Sequence, residues 1–495
     1  MLLFFLPISL IACSGGGSNS DEPDEPGTGP VNPPVVVDDK AVCIDAPLVV
    51  ELKSAPELGT SGCIRVFDSS DNLVDLIDLA DLATVTIRED GQMIPKTQIG
   101  TASVYNTFMD APKCASNWRI VHYTPLLLNS SSLEIKLHSG VLDFGKEYYL
   151  TMDEGVIKGH TGISKGDFTF KTKEKPASKT ELSVRKDGKG DFCTVQAAVT
   201  YSYTLGRTSE VVINIAAGTY NETVFIRDKN NLTLKGESKV NTTIAYANNE
   251  SYENGCGSSS AAKPVVGRNV PASGGRGVIL AESCDNLKFE NLTMKNTFGS
   301  QQGQAEVIYF NSKHKMTIEN CNLLSLQDTF LCKGIVWVHN SLIAGHCDFI
   351  WGYPQACLFE DCEIRSERTE TGGFIVQARV QNASDKGFVF LNCNLTGASN
   401  AIDCSMRLAR SAGQTDFFDN VTYVNCTMSS VIAPTGWWRW PAPNPSPSTA
   451  TSGWKEYGSK DASGKALDTS ERWGGKVLTA EEAAAYSSRA AVLGF

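Results

Sequence analysis

The chain has 495 residues with a formal net charge of -11, too long for one ordinary core, so two or more domains are expected. The acidic balance argues against a nucleic-acid partner, because phosphate binding needs a basic face. Hydrophobic residues make up 41%, the ordinary balance of a folded chain.

Residues 1–12, MLLFFLPISLIA, are apolar but too short to span a bilayer, and read as a signal peptide. Leu10-Ile11-Ala12-Cys13 has the form of a bacterial lipobox, in which Cys13 would be lipidated, although no Lys or Arg precedes Lys40. Residues 13–40 are rich in Gly, Ser, Pro and acidic residues; they cannot bury a core and read as a flexible tether.

From residue 41 to 172, period-two alternation is punctuated by Asp, Asn and Gly, as in CIRVFDSSDNLVDLIDL and KEYYLTMDEGVI. This predicts a small antiparallel β-sandwich, and the run resembles the Ig-like modules of bacterial surface enzymes. No catalytic constellation stands in it. Residues 173–182 are a polar linker.

The remainder, 183–495, carries internal repeats. An apolar residue, any residue, Asn or Asp, and then often Cys recur in strand-like contexts. The successive positions Asn291, Asn320, Asn340, Asp361, Asn392 and Asn425 are 29, 20, 21, 31 and 33 residues apart. A period near 20 with variable insertions is the mark of a coil of short strands, so the class is all-β and the predicted fold a right-handed parallel β-helix. Equivalent residues of stacked rungs line up, which predicts Cys321, Cys362, Cys393 and Cys426 as an inward, reduced ladder with Asn or Asp at the turns. TVQAAVTYSYTL after Asp191 predicts a helix that caps one end, and LTAEEAAAYSS near the C-terminus a second helix. The 15 Cys and 6 His show no zinc spacing.

Two carboxylates stand out in the middle rungs. Asp328, in Leu-Gln-Asp-Thr-Phe, and Asp348, in Cys-Asp-Phe-Ile-Trp-Gly, are one solenoid turn apart. Neighbouring rungs lie about 4.8 Å apart, so the pair shares a surface, and paired carboxylates push their pKa values apart. Gln304 precedes Asp328 by about one rung and Gln327 adjoins it; two amide donors beside two carboxyls suit an oxyanion hole. His346 reads as a satisfied turn residue. Ser341, Ser366 and Ser411 lack a nucleophile-elbow context.

These segments resemble the successive signatures of pectin methylesterases. Gln304-Ala305, Gln327-Asp328-Thr329 and Asp348-Phe-Ile-Trp-Gly352 stand in that family's order. So do Lys186-Asp-Gly-Lys-Gly-Asp191, Thr194-Val-Gln196, Gly218-Thr-Tyr-Asn-Glu222 and Pro434-Thr-Gly-Trp437-Trp438-Arg-Trp440. The resemblance implies hydrolysis of galacturonate methyl esters in pectin, with Asp348 as nucleophile and Asp328 as acid/base. It implies Gln304 and Gln327 as oxyanion donors, Arg410 as the partner of the nucleophile, and no cofactor or metal. One segment departs from the pattern. The family reads Leu-Gly-Arg-Pro-Trp where this chain has Leu408-Ala409-Arg410-Ser411-Ala412, so a sugar-contacting Trp is replaced by Ala412. Trp351, Trp437 and Trp438 are the candidate replacements for that contact. The implied partners are a pectic polysaccharide and, through Cys13, the outer membrane, with the chain acting as a monomer. Three other readings stay open: a polysaccharide lyase, a glycoside hydrolase on the same fold, or an inactive pectin-binding homologue.

Overall fold

In a computed structural model, residues 41–79, 125–249, 277–299, 303–438 and 446–495 are described, together with the backbone of strands 88–89, 92–93, 102–107 and 118–123. The proposed signal peptide, Cys13 and the tether lie outside the described residues.

The N-terminal region is antiparallel, as its alternation requires. Glu147–Met152 pairs with Thr169–Lys171 on one side and Cys63–Asp68 on the other, and Leu73–Asp78 extends that sheet. Leu48–Glu51, Ser132–Ile135 and Leu126–Leu128 make a second sheet. The alternate residues Ile64, Val66, Leu150, Leu133 and Ile135 meet in a core of their own, and Ile44 packs against both it and the core of the coil.

From Glu181–Val184 to Lys476–Val477 the strands are parallel and coil, several rungs beyond the span of the Asn repeats. Each rung has three faces. The third face is a separate nine-stranded sheet. The first and second are joined because Phe330–His339 and Cys347–Glu360 run unbroken from one to the other. The bend in the first of these falls at Gly334, whose φ is +76° and where a Cβ would stand 2.4 Å from the His314 carbonyl oxygen. Glycine alone fits there.

Inside the coil, like stacks on like. On the second face, Ile213, Leu234, Phe289, Ile318, Val338, Phe359, Phe390 and Tyr423 occupy one continuous register row, all fully buried. Phe359 stacks on Phe390 with ring centroids 4.7 Å apart, and Phe390 on Tyr423 at 4.5 Å. This burial supplies most of the driving force, since each large apolar side chain removed from water contributes about 1.5–3 kcal/mol.

The repeat has a backbone cause. Asn291, Asn320, Asn340, Asp361, Asn392 and Asn425 all have φ between +49° and +56°. Each of these six rungs turns through the left-handed region at that point, and Asn and Asp enter it at least cost. Asn320 also donates its side-chain amide to Asn291 at 2.7 Å, rung to rung. The next residue then points inward. Cys321, Cys362, Cys393 and Cys426 are buried and unpaired, each donating Sγ–H to a backbone carbonyl. Ser341 fills the same slot on its rung and donates to the His339 carbonyl at 2.8 Å.

Helix α1, Val195–Ser202, covers the amino-terminal end of the coil. Thr194 is its N-cap, and partly buried Glu222 accepts the Val195 and Gln196 amides at 2.8 Å each. Burial pushes the Glu222 carboxyl up to about 7, with those amides pulling the other way. The Gln196 side chain bonds Phe225 through both its N–H and its carbonyl. The early motifs therefore build a cap; they are not part of a reaction centre. Near the C-terminus the predicted helix is a short one, Ala480–Ala483, continued by a 3-10 turn, Ala484–Tyr486, and a further helix that the sequence reading did not include, Arg489–Leu493, follows it. They pack outside the second face on Leu358, Val389, Leu391 and Val424.

Candidate active site

Register on the first face determines what meets what. One row runs Phe330, Ile350, Val376, Ala409, Trp437 and faces the core. The adjacent row runs Leu331, Trp351, Gln377, Arg410, Trp438 along the opposite side of the same strands. Just upstream, Gln327 bridges Cys347, and the Asp328 amide donates to the Cys347 carbonyl at 3.1 Å. Asp328 and Asp348 are thus equivalent positions on neighbouring rungs. The Ala305 amide donates to the Gln327 carbonyl at 3.2 Å, which sets Gln304 on the rung before.

Both aspartates are strained in the same way, with φ of +62° at Asp328 and +44° at Asp348. At Asp348 the register with the next strand slips, a bulge between Cys347 and Ile350. Left-handed backbone and a bulge re-aim a side chain out of the alternating pattern. Both carboxylates are nevertheless almost covered, 3% exposed for Asp328 and 5% for Asp348.

Arg410, two strands along, clamps Asp348. Its Nε donates to Oδ1 at 2.8 Å and to Oδ2 at 3.1 Å, and its Nη2 donates to Oδ2 as well. The geometry is the fork of an arginine on a carboxylate. Burial holds the Asp348 carboxyl above its ordinary value, and the Arg410 hydrogen bonds, the Arg410 charge and the Arg379 charge offset part of that rise.

Two members of this network escaped the sequence reading. Gln377 donates Nε2 to Asp348 Oδ2 at 3.2 Å. Arg379 in turn donates Nε and Nη2 to the Gln377 carbonyl oxygen, at 2.9 and 2.5 Å, and Nη1 to the Tyr353 hydroxyl at 3.1 Å. Its guanidinium lies 4.9 Å from the centroid of the Trp351 ring. The signal was a Gln-x-Arg ending an apolar strand, FIVQAR, on the rung after Asp348.

Several expectations need correction. Trp437 is on the core row, 1% exposed and stacked on Trp454 at 5.4 Å, so it is not a sugar contact. Trp351 keeps only 6% exposure, packed edge-on to Tyr309 and beneath Arg379. Trp438 is half-buried and beside Arg410 in the register, 6.0 Å from Phe374 and 5.4 Å from the exposed Trp473. His346 is not a satisfied turn residue. It is buried, neither ring nitrogen has a hydrogen-bond partner, and burial pushes it down to about 4, so it is neutral at physiological pH.

The site is thus a pair of rung-matched aspartates on a parallel β-helix, one of them gripped by an arginine. A family model described as Pectinesterase matches residues 181–494, and the chain belongs to that family. Pectinesterase 31 of Arabidopsis thaliana is 32% identical over 262 residues, covering 52% of this chain and 77% of that one. Probable pectinesterase/pectinesterase inhibitor 64 of the same plant is 30% identical over 285 residues, covering 54% of this chain but only 44% of its own length. Two solved structures share the fold: pectin methylesterase PemA from Erwinia chrysanthemi, with 23% identity, TM-score 0.51 and coverage of 64% of this chain and 98% of that one, and pectin methylesterase from carrot, with 22% identity, TM-score 0.51 and coverage of 63% and 92%.

Proposed function

We propose that this protein hydrolyses the methyl esters of galacturonate residues in pectin, releasing methanol and pectate. The observation that carries the reading is the Arg410–Asp348 fork one rung from Asp328. An ionised carboxylate held at a fixed angle is a nucleophile; a second carboxyl beside it moves the proton.

In this reading the Asp348 carboxylate attacks the ester carbonyl. The Gln304 and Gln327 amides donate to the oxyanion that forms. The tetrahedral intermediate collapses, the C–O bond to the methoxy group breaks, and Asp328 gives its proton to the leaving methanol. An anhydride joins Asp348 to the galacturonyl carbon. Asp328, now anionic, takes a proton from water, whose oxygen attacks that carbon and restores both carboxyls. Gln377, its own carbonyl oxygen held by Arg379, donates to the same Asp348 carboxylate as Arg410 and adds a second restraint on the nucleophile.

The direct test follows methanol release from methylated pectin and, in parallel, the absorbance of unsaturated uronides. Methanol without unsaturation is expected; unsaturation without methanol would make the protein a lyase and overturn the reading.

Ala412 has no ring to offer a sugar, and in this reading Trp438 takes that role. Stacking one pyranose face on that ring contributes about 1.5–3 kcal/mol, so Trp438→Ala is expected to raise KM roughly ten- to a hundredfold with little change in kcat. Ala412→Trp is expected to recover part of that affinity in the Trp438→Ala background and to add little to the wild type. Steady-state kinetics on linear methylated pectin decide it: an unchanged KM in Trp438→Ala would move the stacking surface elsewhere.

We also propose export, with Cys13 lipidated, residues 13–40 as tether at the outer membrane, and the antiparallel region as an Ig-like spacer. Cys13→Ser is expected to shift the protein from the membrane pellet to the soluble fraction. A mature N-terminus at any residue other than Cys13 would contradict it.

A further inference from the structure

A second cluster of reactive side chains stands far along the coil from the aspartates, at the seam between the N-terminal region and α1. Val42 pairs in parallel with Thr172: its amide donates to the Lys171 carbonyl, and its carbonyl accepts the Lys173 amide, at 2.8 Å each. That pairing brings Cys43 and Lys173 side by side over the turn that follows the first strand of the coil. Cys43 donates its Sγ–H to the Gly190 carbonyl at 3.4 Å and the Gly188 carbonyl at 3.6 Å. Lys173 Nζ donates to the same two carbonyls, at 2.6 and 2.5 Å. From the same short segment, Asp45 accepts the Cys193 amide at 3.0 Å, the Thr194 amide at 2.7 Å and the Thr194 hydroxyl at 2.7 Å. Asp45 thus adds a second cap to α1 from the other domain.

The consequence is that the Cys43 sulfur, the Cys193 sulfur and an Asp45 oxygen lie within 4.8 Å of one another. The two thiols share a hydrogen bond, which pulls Cys43 below its ordinary value with help from Lys173 and pushes Cys193 up. Two sulfurs and a carboxylate are also a donor set that suits a metal. The ammonium of Lys173 already occupies the carbonyl pair beside Cys43, and the Asp45 oxygens are taken by N–H and O–H donors; a dication would have to displace both.

We propose that Cys43 and Cys193 form a redox pair that closes to a disulfide, locking the N-terminal region onto the amino-terminal cap of the coil. The oxidant is a small or protein disulfide. The Cys43 thiolate attacks one of its sulfurs, an S–S bond breaks, and one thiol leaves. Cys193 then loses its proton to solvent and attacks the Cys43 sulfur of the mixed disulfide, expelling the second thiol. Two thiols and one external disulfide become one internal disulfide and two external thiols; two electrons pass to the oxidant. Because both cysteines are buried, the exchange takes place during folding or on local opening of the seam. The closed loop has about 150 residues, a length at which the chain-entropy model gives a large stabilisation.

The test uses the full chain refolded in oxidised or in reduced glutathione, alkylated, digested and mapped by mass spectrometry. A Cys43–Cys193 cross-linked peptide is expected only in the oxidised sample, with two fewer free thiols. Thermal unfolding of the N-terminal region is expected to rise on the order of 10 °C on oxidation, with kcat on methylated pectin unchanged. Cys43→Ser and Cys193→Ser should each abolish that rise. Both thiols remaining alkylatable after oxidative refolding, a cross-link to any other cysteine, or stoichiometric zinc retained by the reduced protein would each overturn the proposal; the wild-type mapping reads the result even if a variant fails to fold.

Discussion

Asp348→Ala is expected to abolish methanol release, by about three orders of magnitude or more, with the coil still folded. The reason for the size is that no neighbouring group replaces a covalent nucleophile, and residues acting as one unit are lost together. The reason for the retained fold is local. The substitution removes a buried carboxylate, which is costly to desolvate, and leaves Arg410, whose side chain keeps 24% exposure to water. It also places Ala at φ of +44°, a penalty of roughly 1–2 kcal/mol that Asp largely avoids. Asp348→Asn separates the two effects, because Asn tolerates that backbone and keeps the side-chain shape. Both variants should be inactive, and Asp348→Asn should melt closer to wild type than Asp348→Ala. Either one retaining more than a few per cent of the wild-type rate would remove Asp348 as the nucleophile.

Arg410→Ala is the second large effect, and its signature is a pH profile. Only ionised Asp348 attacks. Burial raises its pKa and the Arg410 bonds lower it, so removing Arg410 moves the carboxyl further up. The acid limb of kcat/KM, set by the free enzyme, should therefore shift toward higher pH, and activity at neutral pH should fall about a hundredfold or more. The scale follows from breaking one half of a buried pair, about 3–5 kcal/mol, with each 1.36 kcal/mol worth tenfold. Raising the pH should restore part of the loss, because the anion then forms without help. Arg410→Lys keeps the charge but not the fork, and should fall between. An acid limb that stays in place in Arg410→Ala would show that Arg410 orients the nucleophile without controlling its charge.

The residues behind these two effects differ in how far the sequence reveals them. Asp348 and Asp328 were visible one turn apart in the sequence because their rungs carry no long insertion between them, so chain distance mapped directly onto the period of the coil. Arg410 lies 62 residues beyond Asp348, and only its family motif pointed to it. Gln377 and Arg379 had neither advantage. Insertions of varying length shift the register from rung to rung, and no local pattern tells which residue of FIVQAR reaches back to Asp348.

The sequence by itself determined the coil. Its cause is local and repeated: six successive rungs, at Asn291, Asn320, Asn340, Asp361, Asn392 and Asn425, pass through a left-handed turn, Asn or Asp makes that turn cheap, and the next residue is then driven inward, so the code recurs from rung to rung. It also determined the order of the chemistry along the chain. The tertiary structure alone decided which of two adjacent tryptophans is buried. Trp437 and Trp438 are equally apolar; a strand sends neighbours to opposite sides, and pairing with Ala409 and Arg410 decided which side. It decided equally that His346 is buried without a partner and that Cys43 meets Cys193. Burial and long-range contact depend on what the rest of the chain packs there, and nothing in a residue's own neighbourhood encodes that.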